Sequence, residues 1–302
     1  MLLITGGLGF IGWNTVLALH AVGKVLCVCD DLAKANSDRL AQCKVMGIEV
    51  VDFRHLDDKI IALCSGIIHL GAISSTVETD ANKLDFQNTK FSINLFDRAT
   101  AFQIPIVLAS SAATYGDKPV MSDADIDLQP LNLYAQTKHK IDQYCQYAKL
   151  KPPSWACLKF FNVYGPGEDN KTERTSSLAH KAFTAQKTGG VVQLFKSSET
   201  MKRDFVYVKD AVRACCYFLY RPRANGIYNV GTGTPRSFYD IVHIVRNFSS
   251  LLAPAIETID MPEDLLLTYQ HFSQSTSPRA RAAGFHCEYD LERGLKDMRR
   301  YF

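Results

Sequence analysis

The sequence predicts an α/β fold, a doubly wound parallel sheet joined to a second, smaller mixed α/β lobe. Three observations carry that expectation. Short continuous apolar runs recur through the first half, at residues 2–5, 24–30, 49–53, 66–70 and 104–110. Helical patterns lie between them, the longest over about residues 81–102. Such runs read as parallel strands covered on both faces, with ligands held beyond their carboxyl ends. Past Gly165-Pro166-Gly167 the alternation stops, and turn signals follow at Arg221-Pro222, Gly231-Thr232-Gly233 and Pro254.

Bulk properties narrow the class. With 302 residues the chain can build one large core or two domains sharing a cleft. Its hydrophobic content of 47% and charged content of 22% suit a soluble globular enzyme. A formal net charge of +3 argues against a dedicated nucleic-acid binder, which carries a concentrated basic surface. Met1-Leu2-Leu3-Ile4-Thr5 runs straight into glycines without a basic leader, so no targeting segment is expected. No apolar run approaches the roughly 20 residues of a membrane helix, so no membrane association is expected. The nine cysteines are scattered and odd in number, which argues against a disulfide framework and for a reducing, cytoplasmic setting. Cys27/Cys29 and Cys215-Cys216 lack a partner pair at metal-ligand spacing. They read as small buried hydrophobes, and no metal is expected.

The first strand and first helix are joined by Thr5-Gly6-Gly7-Leu8-Gly9-Phe10-Ile11-Gly12. Gly6, Gly9 and Gly12 satisfy one glycine spacing, G-x-x-G-x-x-G. Gly7, Gly9 and Gly12 satisfy the other, G-x-G-x-x-G. Missing side chains permit a tight turn and close approach of a pyrophosphate, and the helix start offers free N–H groups to it. The expected fold is thus of the Rossmann type. Residues 1–165 and 204–230 are expected to bind a dinucleotide, and residues 166–203 and 231–302 to form the substrate lobe. The second apolar run ends in Asp30-Asp31, where a carboxylate can accept both hydroxyls of the adenosine ribose. Asp30 would repel a 2′-phosphate, whereas Lys34 and Arg39 can neutralise one. NAD and NADP therefore both remain open.

Tyr134-Ala135-Gln136-Thr137-Lys138 places a phenol and an ammonium one helical turn apart. Tyr147 and Lys151 repeat the spacing, but Lys151 precedes Pro152, which disfavours a helix there. Tyr134 is therefore the candidate base. A free tyrosine titrates near a pKa of about 10, and reaching neutrality takes roughly 4 kcal/mol of preferential phenolate stabilisation. Burial pushes the wrong way. Lys138 and the positive ring of an oxidised nicotinamide are the expected sources. Ser111, at the carboxyl end of the fifth run, is expected to hold the reacting oxygen, while Ser110 reads as a strand cap.

The glycine loop, the segment Ala109-Ser110-Ser111-Ala112-Ala113-Thr114-Tyr115-Gly116 and the Tyr134/Lys138 pair resemble the extended short-chain dehydrogenase/reductases. Further segments sharpen the likeness: Ile68-His69-Leu70-Gly71-Ala72-Ile73-Ser74-Ser75-Thr76, Phe161-Asn162-Val163-Tyr164-Gly165-Pro166, Lys202-Arg203-Asp204-Phe205-Val206-Tyr207-Val208 and Asn229-Val230-Gly231-Thr232-Gly233. Together they resemble the ADP-L-glycero-D-manno-heptose 6-epimerase family over nearly the whole chain. The resemblance implies oxidation of the C6″ hydroxyl of an ADP-heptose to a ketone by bound NAD(P), and return of hydride to the other face. It also implies a second acid/base, and Lys171 matches that position. Phe10, Ile11, Asp30, Asp31, Gly71, Ala72, Asn88, Lys138 and Val163 are then expected to line the cofactor. Ser74, Asn162, Ser197, Ser198, Arg203 and Tyr269 are expected at the substrate, Arg203 because its planar fork suits a diphosphate. An ion pair of Arg203 with Asp204 or Asp210 is the competing reading.

The sequence departs from the family where Asn170 stands for a histidine, where Thr172-Glu173-Arg174-Thr175-Ser176 replaces a small-residue motif, and where Leu70 replaces a polar residue. The partner is expected to be a nucleotide-activated sugar, and the assembly a homo-oligomer. Two other functions are compatible with fewer of these features: a nucleotide-sugar 4-epimerase or reductase, which needs Tyr134 but not Lys171, and a catalytically silent dinucleotide sensor.

Overall fold

The computed structural model describes residues 1–302 except 77, 170, 172–174, 222–223, 249–252 and 263–269. Each of the five early apolar runs becomes a strand: β1 (Leu2–Thr5), β2 (Leu26–Asp30), β3 (Glu49–Asp52), β4 (Gly66–His69) and β5 (Ile106–Ser111). Later strands are β6 (Val120–Ser122), β7 (Trp155–Phe160), β8 (Asn162–Tyr164), β9 (Val191–Phe195), β10 (Lys202–Arg203), β11 (Phe205–Tyr207) and β12 (Gly226–Val230). The last three are β13 (Arg236–Ser237), β14 (Ala255–Ile259) and β15 (Gln274–Thr276). A seven-stranded sheet has the order β12-β7-β5-β4-β1-β2-β3. β1 is parallel to both β2 and β4, and parallel pairing continues to β3 and β5. Every residue of β1 and β4 is buried, as strands covered on both faces must be. The strand order reverses beside β1, so the carboxyl ends of β1 and β4 diverge into a crevice.

Helices α1 (Phe10–Ala21), α2 (Ser37–Val45) and α3 (Asp58–Ala62) alternate with the first strands. The long helix expected at 81–102 forms as α4 (Ala81–Leu84), a π-helical turn (Asp85–Lys90) and α5 (Phe91–Ala101). Such a wide turn re-aims side chains, and it carries Asn88. α6 (Leu133–Tyr147) starts at Asn132, whose side chain accepts the Ala135 N–H. Tyr134 lies in its first turn, while Tyr147 is its exposed last residue and Lys151 lies beyond it. The sequence-based choice between the two tyrosine–lysine pairs follows the helix that actually forms. Further on come α7 (Leu178–Thr188), α8 (Val208–Leu219), α9 (Phe238–Asn247), α10 (Pro278–Ala282) and α11 (Leu291–Met298).

The chain divides into two compact units. One comprises residues 1–116, 127–159 and 212–228, the other residues 117–126, 160–211 and 229–302. Residues 160–165 and 204–211, expected with the dinucleotide-binding part, group with the second unit because β8 pairs with β11. Residues 117–126 join them because β6 pairs with β15. The core of the first unit packs Cys27, Cys29, Cys64, Cys145 and Cys157 among Leu3, Phe96 and Trp155. All nine cysteines are free thiols, seven of them buried, and burial pushes the Cys64 thiol up to about 11. They behave as apolar side chains, as the sequence suggested.

In the second unit Asp204 is the polar hub. Its fully buried carboxylate accepts from the Thr232 N–H (2.8 Å) and hydroxyl (2.6 Å), the Gly233 N–H (2.8 Å) and the Ser275 N–H (3.0 Å). Asp204 ties the Asn229-to-Gly233 turn to β15, helped by hydrogen bonds from Asn229 to the Thr276 carbonyl and from Gln274 to the Gly233 carbonyl, both at 3.0 Å. Asp204→Ala leaves three backbone donors unpaired, each costing about 1–3 kcal/mol when buried. A loss of about 3–5 kcal/mol in chemical denaturation is expected, and a loss below about 1 kcal/mol would contradict the hub.

Candidate cofactor and catalytic site

In the first unit the glycine loop turns from β1 into α1. Gly6 has a φ of +67°, and a Cβ there would meet the Cα of Gly71 at 2.6 Å. A Cβ on Gly12 would lie 1.9 Å from the carbonyl oxygen of Gly6. The first helical turn therefore packs directly on the loop, with no room for a side chain. Gly9 caps α1 without a side-chain hydrogen bond, and no acidic residue occupies its first turn. The positive end of the helix is left for an anion. Phe10 and Ile11 open that turn, half-buried. Gly12→Ala should force the loop apart and weaken dinucleotide binding by about 100-fold. Gly47→Ala is the control: its φ is also +67° but its surroundings are open. It should cost about 1 kcal/mol of stability and leave binding intact. Equal dinucleotide affinity in both variants, read by titration calorimetry, would refute the cradle.

Beside the loop lies a cavity of about 270 Å³ lined by Thr5, Gly6, Cys29, Asp30, Asp31, Lys34, Phe53, Gly71, Ala72, Ile73, Gln87 and Phe91. Gly6, Asp30, Asp31, Lys34, Gly71 and Ala72 were expected there. Phe53, Ile73, Gln87 and Phe91 were not, because nothing local in the sequence marks them. Phe53 and Phe91 meet edge-on, 5.7 Å between centroids, and supply an apolar wall suited to a purine. The Asp30 carboxylate accepts from the N–H groups of Leu8 and Asp31, both at 2.8 Å. Burial raises its pKa, opposed by those two hydrogen bonds. An acceptor fixed in this way at a strand end fits a ribose diol. The cavity, the carboxylate and the uncapped helix together fit an adenine dinucleotide.

Three cations near the cavity have protein partners. Lys34 pairs with Asp31 at 3.0 Å. Arg54 hydrogen-bonds Asp52 at 2.6 Å. Arg39, buried, donates to the carbonyl oxygens of Leu8 (2.9 Å) and Gly9 (3.0 Å). It props the glycine loop rather than presenting charge to a 2′-phosphate. Asn88 is also committed. Its fully buried amide accepts from the Ile73 N–H (2.8 Å) and donates to the Ile73 carbonyl (3.0 Å) and the Thr137 hydroxyl (3.2 Å). It holds the loop after β4, which carries the cavity-lining Gly71 to Ile73. His69 behind that loop bonds Thr5 (2.5 Å) and Ser92 (2.7 Å) through its two ring nitrogens. Burial, with Lys138 nearby, lowers its pKa to about 3, so it stays neutral.

The catalytic candidates meet at the carboxyl end of β5. Tyr134 is buried and its phenol is hydrogen-bonded to Ser111. The Ser111 hydroxyl also accepts the Ala113 N–H at 3.1 Å. Lys138, one turn along α6, donates to the Ala109 carbonyl at 2.9 Å. The phenol pKa is raised, chiefly by burial and further by Asp142, while the Ser111 hydrogen bond lowers it. Burial lowers the Lys138 pKa to about 8, so its charge is itself poised. Sequence reasoning named three residues that the structure brings together, Tyr134, Ser111 and Lys138, and missed the two behind them, Asp142 and Lys159.

In the second unit Asn162 and Val163 lie on β8, Asn162 exposed and Val163 half-buried. Ser197 is exposed, whereas Ser198 is buried and its N–H donates to the Phe195 carbonyl at 2.8 Å. Arg203 is buried, with its guanidinium 5.9 Å from the Phe238 ring centroid. Asp204 serves the hub above, and Asp210 accepts from the N–H groups of Glu288 and Tyr289. Lys171 pairs with Glu168 at 2.9 Å. That fully buried carboxylate also accepts from the Ser177 N–H (2.8 Å) and hydroxyl (2.6 Å). Glu168 was missed, although its place three residues before Lys171 could have flagged it. Ser74 is exposed on the loop after β4 of the first unit. Tyr269, Asn170 and the 172–174 departure lie outside the described residues. Among the described residues no group of three or more His, Cys, Asp or Glu side chains could hold a metal ion, and no helix is long and apolar enough to cross a membrane.

These features define a dinucleotide-binding α/β protein with a tyrosine–lysine helix. The chain belongs to the NAD dependent epimerase/dehydratase family, which it matches over residues 2–231. It is 36% identical to an ADP-L-glycero-D-manno-heptose-6-epimerase of Nitratidesulfovibrio vulgaris, across 100% of this chain and 98% of that one. The crystal structure of the Helicobacter pylori ADP-L-glycero-D-manno-heptose-6-epimerase superposes with a TM-score of 0.83 at 27% identity, covering 98% of this chain and 94% of that chain. The Thermus thermophilus UDP-glucose 4-epimerase, solved with NAD, shares the fold at a TM-score of 0.78 and 24% identity, covering 99% and 98%.

Proposed function

We propose that the protein interconverts ADP-D-glycero-D-manno-heptose and ADP-L-glycero-D-manno-heptose at C6″. The observation that carries this reading is the buried phenol of Tyr134, hydrogen-bonded to Ser111 at the carboxyl end of β5. Full-length similarity to enzymes of that name supports the choice of sugar. Tyr134 as phenolate takes the proton of the C6″ hydroxyl while Ser111 holds that oxygen. NAD(P), held by the glycine loop of Gly6 to Gly12 and by Asp30, would supply the hydride acceptor and donor for C6″ and a positive charge near the phenol. For inversion the ketone turns over before hydride returns, and its oxygen then lies away from Tyr134. Lys171 as ammonium protonates the oxygen there. Exchange with solvent restores the proton to Lys171 and removes it from Tyr134. Arg203 and Asn162, with Ser197 and Ser198, are assigned to the nucleotide sugar. The lobe of residues 166–203 and 231–302 is assigned to substrate.

We also infer that the protein works in the cytoplasm, a reading supported by its nine unpaired thiols, and that it forms a homo-oligomer, which sedimentation tests. Incubation of the purified protein with each ADP-heptose epimer, followed by NMR, tests the main reading. The expected result is the same equilibrium mixture from either side. No reaction, or retention at C6″, overturns it. Nucleotide released on denaturation identifies the cofactor as NAD or NADP.

A further inference from the structure

Behind the catalytic helix lies an ion pair that the reaction scheme does not use. Asp142 is two turns beyond Tyr134 and one beyond Lys138 on α6, and it is 1% exposed. Lys159 on β7 is 2% exposed, and its Nζ lies 2.6 Å from Oδ2 of Asp142. Both side chains reach back to the two serines at the end of β5. The Ser110 hydroxyl donates to Oδ2 of Asp142 at 2.8 Å. Lys159 donates to the Thr114 hydroxyl at 2.5 Å, and Thr114 donates to the Ser111 carbonyl at 2.8 Å. Oδ1 of Asp142 has no hydrogen-bond partner among the described residues.

A buried pair of this kind is no bargain for stability. Removing two charges from water costs as much as their attraction returns, and apolar residues of similar volume usually do as well. An unsatisfied carboxylate oxygen adds to the cost. Charges placed there act on whatever ionises nearby, because the medium around them screens poorly.

We propose that the Asp142–Lys159 pair is a positioning device that holds Ser111 against Tyr134 and balances the charge under the phenol. The groups facing Tyr134 and Lys138 are few. α6 supplies Lys138, His139 and Asp142, β4 supplies the neutral His69, and β7 supplies Cys157 and Lys159. Asp142 opposes ionisation of Tyr134 and favours the charge on Lys138. Lys159 sets the opposite charge 2.6 Å from that carboxylate. The inference rests on Tyr134 being the first acid/base, a point that Tyr134→Phe tests separately.

The experiment is a set of pH profiles of epimerase turnover, with the phenolate absorbance of the cofactor-bound enzyme read as a difference against Tyr134→Phe. Asp142→Asn keeps the acceptor for Ser110 but leaves Lys159 uncompensated. The acid limb and the phenolate titration should both move down by about one pH unit. Lys159→Met leaves the carboxylate uncompensated, and both should move up by a similar amount. The double variant Asp142→Asn/Lys159→Met should return both close to the parent. A merely structural pair would lower turnover in all three variants without these opposite movements. If Lys159→Met does not fold, Asp142→Asn and the double variant still decide. Coincident limbs in parent, Asp142→Asn and double variant overturn the proposal, and a downward shift reversed in the double variant supports it.

Discussion

Tyr134→Phe should lower epimerisation by about 1,000-fold, the scale of a lost general acid/base, while bound dinucleotide and folding stability stay near the parent. The substitution removes one oxygen from a buried ring and preserves its volume. The phenol's partner is Ser111, whose hydroxyl keeps its bond from the Ala113 N–H. Residual turnover should lose its acid limb, because the titrating group is gone. Tyr134 is raised by burial in the structure as it stands, so the parent enzyme should gain activity as pH rises toward its phenol. That direction follows from the need for phenolate in the first step. Turnover, dinucleotide content and thermal melting together check the claim. Wild-type turnover in this variant would remove the catalytic assignment.

Lys171→Ala should abolish inversion to a similar degree, about 1,000-fold, but through a different step. Oxidation needs only Tyr134, so hydride transfer from an ADP-heptose to bound NAD(P) should persist in a single turnover. The ketone should then be returned mainly to the starting epimer. Lys171 suits the second role because its ammonium is tethered: Glu168 holds it at 2.9 Å, and Glu168 is fixed in turn by Ser177. Its side chain remains 30% exposed, so solvent can return the proton after each cycle. Epimers separated by NMR and reduced nicotinamide read by absorbance distinguish the two steps. Unchanged inversion would remove the two-base scheme and favour an enzyme of the 4-epimerase type, which needs Tyr134 alone.

The amino-acid sequence by itself determined the parallel sheet, the glycine cradle and the tyrosine–lysine helix. Each of these is a local signal: an apolar run bounded by turns, three glycines at fixed spacing, two side chains one turn apart. The strand ends and helix starts follow from them to within a residue or two, and the line of buried cysteines with them. Tertiary structure alone decided which charges are committed elsewhere. Arg39 reads as a phosphate ligand until it is found under the carbonyls of Leu8 and Gly9. Lys138 reads as a permanent ammonium until burial is found to lower its pKa to about 8. Asn88 reads as a cofactor contact until its amide is found clamping Ile73. Asp142 and Lys159 read as ordinary helix and strand residues until they meet in the interior. The physical reason is common to all four. A polar group's behaviour depends on how much water it has lost and on which distant segment supplies its partner, and neither is written in its sequence neighbours.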